Sequence, residues 1–360
     1  MVIWSVLIVG SGPAGAYLAK LLADNGIDVL LLDRPKRKDP FLETLSSQAR
    51  PLFDAPITIG ACTSNRSRWG SDEIVERAGI VRPWGHDWFL DRPSFDSQLC
   101  ADAVAAGAVC LQLGAVSVKR EEGAWVVGLS DGRRVKSRFL VDASGRRSVI
   151  ATRLGSSRVR LDALVGIPMS LATGDAAFGN STLVASTSDG WWYAGPDASG
   201  GVCAVYFTDA DLPAFKTLRG NGHLRQLLIQ SELFKCADAI PCGRPCIAFS
   251  EILRPCAGDG WLAVGDAAAS FDPLASQGIY HALLTATYAV DVMANNKSTA
   301  EFQSRLWVEF LEYTAGRASV YGREKRWAES PFWHRRASAG QFSNPTPMSQ
   351  TRSHPWQFPM

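Results

Sequence analysis

Glycines and acids stand at three places in this chain in patterns that can do chemistry. The first is Gly10-Ser11-Gly12-Pro13-Ala14-Gly15, with Asp33 18 residues beyond Gly15 and Arg34 beside it. Gly10 permits a tight turn, Gly12 lets the backbone approach a pyrophosphate, and Gly15 lets a helix close on a strand. The N-terminus of that helix, with Pro13 and Ala14 in its first turn, faces negative charge. Asp33 can accept hydrogen bonds from ribose hydroxyls. The chemistry implied is the binding of an adenine dinucleotide, and the pattern serves FAD and NAD alike.

The second place is Asp142-Ala143-Ser144-Gly145, an acid and small residues that can bring backbone against another part of a bound nucleotide. The third is Gly265-Asp266, followed by Ala267 to Ala269, Asp272-Pro273 and Gln277-Gly278-Ile279. Here an acid precedes an uncluttered backbone and a helix start whose N–H groups can face a partial negative charge. His86 and His281 are the histidines best placed to manage a proton, and Asp272 is either a helix-entry acid or a group near the reacting centre. No general base is assigned.

Each cluster needs an element to hold it. Val6 to Val9 is an apolar run before Gly10, the stretch from Ala16 to Leu22 has a helical apolar face, and Asp28 to Asp33 is a second run ending in an acid. That strand, glycine turn, helix, strand order makes the first motif specific. Trp125 to Leu129 and Arg134 to Val141 read as strands around Asp131-Gly132, the second delivering Asp142. Trp261 to Val264 is a short buried strand that delivers Gly265.

Three such motifs in this order resemble the FAD-dependent monooxygenases of the p-hydroxybenzoate hydroxylase fold and the related flavin-dependent halogenases. The likeness runs over about residues 1 to 336. It implies FAD as cofactor and an α/β chain: a Rossmann-like FAD-binding domain, an α+β second domain built on an antiparallel sheet that binds substrate, and a C-terminal helical segment. Leu90 to Leu99 resembles the family segment whose arginine, here Arg92, lies near FAD. Glu43-Thr44-Leu45-Ser46, with Arg50, resembles the segment whose Glu begins the helix beside the isoalloxazine. By the same resemblance Asp266 contacts the ribityl or pyrophosphate region and Pro273 lies by the flavin ring.

The implied FAD domain is discontinuous, formed by 1–55, 92–155 and 255–296, with 56–91 and 156–254 as the substrate domain. Strands are expected at Ser181 to Ala185, Gly190 to Ala194 and Val202 to Phe207, with a reversal at 195–201. Leu212 to Phe234 reads as partly helical, broken at Gly220-Asn221-Gly222. Residues 297–336 form the helical segment, and 337–360 read as a tail without periodicity.

In the halogenases a lysine between the first motif and the mid-chain strands relays hypohalite. Residues 39 to 118 contain no Lys, and no Trp-x-Trp-x-Ile-Pro occurs; Gly190-Trp191-Trp192-Tyr193-Ala194-Gly195-Pro196 is the nearest stretch. Asp272 to Ile279 and Tyr321 to Arg336 look instead like the flavoprotein maturases of quinone-cofactor oxidases and amine dehydrogenases. That likeness implies hydroxylation of a Trp side chain through a flavin C4a-hydroperoxide, in a quinoprotein oxidase or dehydrogenase precursor. Oxygen and a reductant, NAD(P)H or a separate reductase, would be consumed. Hydroxylation of a small aromatic metabolite, halogenation, prenyl reduction and a non-catalytic flavin-binding chaperone are the other readings.

The bulk numbers exclude little else. A formal net charge of +2 spread along the chain offers no field for nucleic acid or an anionic membrane. No signal peptide or membrane segment is visible, so the cytoplasm is expected. Eight cysteines lack a CxxC pair and read as reduced, and no metal site is expected.

Overall fold

The computed structural model describes residues 2–34, 43–52, 58–171, 179–196, 201–218, 223–231, 233, 239–295 and 297–338. The break expected at Gly220-Asn221-Gly222, Cys236, most of the 195–201 reversal and the stretch beyond Ser338 lie outside these residues.

The strand Ile3–Val9 runs through the centre of an eight-stranded sheet. Its parallel neighbours are Val29–Leu32 on one side and Arg134–Asp142 on the other, with Val109–Leu111 and Trp261–Ala263 beyond them. Val6 to Val9 are at most 5% exposed because helices cover the sheet, which is why the run is continuously apolar rather than alternating. Each such buried side chain contributes about 1.5–3 kcal/mol. Helix Pro13–Asp24 follows the first strand and packs along helix Gly278–Met293. The hairpin Ala124–Leu129 with Arg134–Asp142 forms as expected from Asp131-Gly132, extended by Ala115–Glu121.

A second eight-stranded sheet has the order Ala239–Pro241, Leu164–Leu171, Val202–Asp209, Gly190–Pro196, Ser181–Thr187, Ser64–Arg68, Val75–Ala78, with Cys246–Ile247 also on Leu164–Leu171. The three expected strands are present and antiparallel to their neighbours in sequence. The sheet as a whole is not purely antiparallel: Ser64–Arg68 joins Ser181–Thr187 in parallel, a pairing that needs a long connection such as the mid-chain segment between them. Alternation places Trp191 and Tyr193 on one face and Trp192 on the other. Trp192 packs with Leu224 and Leu228 of helix His223–Gln230, whereas Trp191 packs with Leu274, Tyr321 and Trp333.

A three-stranded sheet of Glu43–Leu45, Asp87–Leu90 and Gly60–Cys62 lies in the early part of the chain. Helix Thr299–Tyr321 starts at a capping box between Ser298 and Glu301. A last helix, Pro331–Ser338, runs two residues further than the sequence boundary at 336. Trp69 donates its indole N–H to the Val320 carbonyl at 3.0 Å, and Arg336 binds Asp209 at 2.6 Å, so these helices fasten onto the second sheet.

Candidate functional site

The three motifs converge at the carboxyl edge of the parallel sheet. Val9, Asp142 and Ala263 end their strands in register, with Val9 opposite Asp142 and Asp142 opposite Ala263. Backbone bonds lock the exits: Ala143 N–H to Val9 O and Val264 N–H to Asp142 O, both at 2.9 Å. A crevice at the edge where strand order reverses is where open α/β sheets bind ligands.

The glycines are required by contact. Gly10 has φ +112°, and a Cβ there would lie 2.3 Å from the Ala143 carbonyl oxygen. A Cβ on Gly15 would lie 1.9 Å from Gly10 O, and one on Gly265 2.8 Å from the Ala14 Cβ. The first motif therefore touches both others. Gly12 caps the helix Pro13–Asp24 without a side-chain hydrogen bond, and Gln277 does the same for Gly278–Met293. Two helix N-termini are thus free of side-chain caps at this edge, and the N–H groups of their first turns lack intrahelical acceptors. Gly278 is exposed, and a Cβ there would meet nothing within 4 Å.

The acids divide by environment. Asp33 accepts from the Ser11 hydroxyl beside Gly12, and Arg34 is exposed next to it. Asp142 is fully buried, and its carboxylate takes Ser144 N–H at 3.0 Å, the Ser144 hydroxyl at 2.6 Å, and the N–H groups of Ile150 and Ala151 at 2.8 Å. Asp142 is therefore the organiser of its own loop, holding Gly145 at φ +72°. Asp266 is more open, with a 42% exposed side chain and Arg146 at 3.5 Å. Arg146 also donates to Phe249 O at 2.6 Å, and Arg158 donates to Asp266 O at 2.8 Å.

Glu43 and Arg92 form an ion pair, and Arg92 also binds Asp96 at 3.2 Å. Burial pushes the Glu43 carboxyl above its ordinary value, an effect the Arg92 charge only partly offsets. Thr44 reaches the Tyr193 hydroxyl of the second sheet at 3.4 Å. Burial raises that phenol too. Arg50 lies 4.4 Å over the Trp88 ring, and His86 meets the same indole edge-on at 6.3 Å. These two share the indole of Trp88 on the strand Asp87–Leu90.

Asp272 is the N-cap of the turn Pro273–Ala275, accepting from Leu274 N–H at 3.0 Å. Its other oxygen accepts from Arg317 Nε at 3.1 Å and from the Tyr321 hydroxyl at 2.8 Å. Gln277 is buried and donates to the Gln48 side chain at 3.2 Å. Ile279 is buried in the first turn of its helix. His281 is buried against Phe271, ring centroids 4.4 Å apart, and burial drives its pKa down to about 3. Its Nδ1 lies 4.0 Å from Glu309 Oε2, and enclosure of the ring favours the neutral imidazole. A separate cavity of about 230 Å³ opens beyond Arg317, walled by Asp162, Asp209 and Arg336, whose charges are already matched to arginine or aspartate partners.

Sequence reasoning missed Arg146, Arg158, Gln48, Tyr193, Arg317 and Tyr321. Tyr193 and Tyr321 stand in stretches the sequence singles out but carry no role there, and each of the six is recruited by a partner far away in the chain. Among the described residues no cluster of metal-ligating groups occurs, and no helix is long and apolar enough to cross a membrane.

A tryptophan halogenase profile matches residues 58–351 and an FAD binding domain profile residues 4–44. The chain belongs to the tryptophan halogenase family. As a member of it, the protein is an FAD-dependent oxidoreductase. Relatives in and around the family span several chemistries. LodB of Marinomonas mediterranea, named as an FAD-dependent oxidoreductase, is 29% identical over 359 residues, covering 92% of this chain and 96% of its own. A tryptophan 2-halogenase of Chondromyces crocatus is 26% identical, covering 91% and 69%. Among solved structures, the peptidyl tryptophan dihydroxylase QhpG, described as essential for tryptophylquinone cofactor biogenesis, superposes with a TM-score of 0.72 at 23% identity, covering 93% and 79%. The chondrochloren halogenase CndH gives the same TM-score at 20% identity, covering 93% and 86%. At these identities the structural likeness speaks for the family fold. The donors fit the cofactor: the glycine turn packs backbone on backbone, and the helix starts at Gly12 and Gln277 carry no side-chain caps.

Proposed function

We propose that the protein hydroxylates a Trp side chain of a partner polypeptide, the precursor of a quinoprotein oxidase or dehydrogenase, during quinone cofactor biogenesis. The observation that carries this reading is the absence of Lys from residues 39 to 118, where halogenation by the resembled enzymes needs a relay. The near full-length likeness to LodB and the fold shared with QhpG support it.

FAD, once reduced, supplies the oxygen-activating chemistry. The chain's own residues bind and orient. Gly10, Gly12, Pro13, Ala14 and Gly15 would hold the pyrophosphate, Asp33 the ribose, with Arg34 at the rim. Asp266, steadied by Arg146, would take the ribityl region, while Asp142, Gly145 and Gly265 shape the backbone around it. Pro273 would lie by the ring, and the N–H groups from Gln277 to Ile279 would face its electron-rich carbonyl edge. Glu43 and Arg92 would flank the ring, with Arg50 near its outer side. Thr44 and Tyr193 then mark where the second sheet presents the indole. The Glu43 carboxyl at that edge is raised from its ordinary value by burial and held in its ion pair by Arg92. We read 1–55, 92–155 and 255–296 as the FAD unit and 56–91 with 156–254 as the unit that receives the substrate.

Co-expression with a quinoprotein precursor, followed by peptide mass mapping, tests the proposal. Oxygen added to a Trp of the precursor is the expected result. Bromine or chlorine on that residue would assign the chain to halogenation. An unmodified precursor beside an oxidised free indole would assign it to small aromatic substrates.

A further inference from the structure

A line of oxidisable rings leads from the Pro273 turn to the protein surface. Tyr321 donates its hydroxyl to Asp272, the residue before Pro273, at 2.8 Å. Trp191 donates its indole N–H to the Tyr321 oxygen at 3.0 Å. The Trp69 ring lies 5.6 Å from Tyr321, 6.5 Å from Trp191 and 5.0 Å from Trp333, centroid to centroid. Trp327 stacks on Trp333 at 6.2 Å with an interplanar angle of 28°. Trp191, Tyr321 and Trp333 are buried, whereas Trp69 and Trp327 reach partial exposure.

Apolar packing alone does not ask for these features. Leu or Phe would fill the same space, yet the ring nearest the turn is a phenol hydrogen-bonded to a carboxylate, which provides an acceptor for its proton. The indole N–H groups of Trp69 and Trp333 donate to the Val320 and Thr187 carbonyls, so neither indole is left with a buried unsatisfied donor. Arg326 lies 4.3 Å over Trp327 and is itself paired with Glu324 and Asp72.

We infer that Tyr321, Trp69, Trp333 and Trp327 form an electron relay between the flavin pocket and the surface, which discharges oxidants made in the pocket when no substrate consumes them. The inference rests on the reading of the crevice as an FAD site. A one-electron oxidant of the reactive-oxygen class in the pocket takes an electron from Tyr321 while the phenol proton passes to Asp272. An electron from Trp69, with the proton returning from Asp272, restores Tyr321. Trp333 then reduces Trp69 and Trp327 reduces Trp333. A thiol in solution gives one electron to Trp327 and releases its proton. The net change is one electron moved from thiol to oxidant, with every side chain restored.

The test uses the FAD-loaded protein without substrate, excited with blue light and followed by transient absorption and electron paramagnetic resonance. The expected result is a long-lived tryptophan radical in the parent protein. In Trp333→Phe, with unchanged flavin content and melting temperature, that radical should shorten several-fold in lifetime, and in Tyr321→Phe its yield should fall. A peptide map after repeated aerobic reoxidation of reduced protein should show oxidised Trp327 in the parent and oxidised Trp69 in Trp333→Phe. A yellow protein with no tryptophan radical, or with one indifferent to Trp333→Phe, overturns the relay alone. A colourless protein overturns the FAD reading and the relay with it.

Discussion

Arg317 and Asp272 form a buried ion pair, Nε to Oδ2 at 3.1 Å, that joins helix Thr299–Tyr321 to the residue before Pro273. A second guanidinium nitrogen of Arg317 holds Asp162 at 2.6 Å. Removing the cation in Arg317→Met leaves two buried carboxylates facing each other's space. The expected cost is about 3–5 kcal/mol, because breaking a buried pair strands the remaining charge. Thermal unfolding should show a large fall in melting temperature together with weaker flavin retention; an unchanged melt would mean that water replaces the pair.

Gly10 and Gly107 have nearly equal backbone angles, φ +112° and +109°, but only Gly10 has backbone within reach of an added Cβ. Alanine at Gly107 should cost only backbone strain, about 1–3 kcal/mol, and leave flavin content intact. Alanine at Gly10 must in addition push Ala143 away, so the purified protein should lose most of its yellow colour. Equal flavin occupancy in the two variants would refute the close approach of the first two motifs.

Glu43 is held above its ordinary value mainly by burial. If its proton serves the crevice, Glu43→Gln keeps the shape and removes the titration. Product formation should lose one limb of its pH profile while the flavin remains bound. An unchanged profile would reduce Glu43 to a positioning partner of Arg92.

His281 supplies a pH dependence with a definite sign. Its folded pKa is lowered to about 3 from an ordinary 6.5 by burial, so between these values the unfolded chain binds the extra proton. Stability contributed by the neutral imidazole is present above the unfolded value and declines as pH falls through this window. Urea unfolding of His281→Phe from pH 7 to pH 4 should show a shallower loss than the parent. A steeper loss in the variant would contradict a neutral buried ring.

The glycines and strand-end acids were legible in the sequence because each stands where a strand ends and a turn begins, although the close approaches of Gly10 to Ala143 and of Gly265 to Ala14 cross the chain. Asp142 shows where that legibility stops. Its position at a strand end was readable, but the fact that all its acceptor capacity goes to Ser144, Ile150 and Ala151 depends on the loop's path. Arg146, Gln48, Tyr193 and Arg317 find partners more than 40 residues away, so no spacing rule points to them. The same holds for the parallel pairing of Ser64–Arg68 with Ser181–Thr187, which no hairpin signal announces. His281 stands one helical turn beyond Gln277, as the sequence shows, whereas its burial against Phe271 depends on how the helix packs.

The clasp of Arg317 and Tyr321 on Asp272 has a consequence for biosynthesis. The dinucleotide turn at Gly10 to Gly15 leaves the ribosome some 300 positions ahead of the residues that fix the Pro273 turn. Contacts of such separation form late, since the intervening loop must close first. A nascent chain can therefore offer a place for the adenosine end of FAD long before it can grip the ring. Cofactor capture becomes a checkpoint on completed synthesis, and a chain truncated before Arg317 should be released colourless.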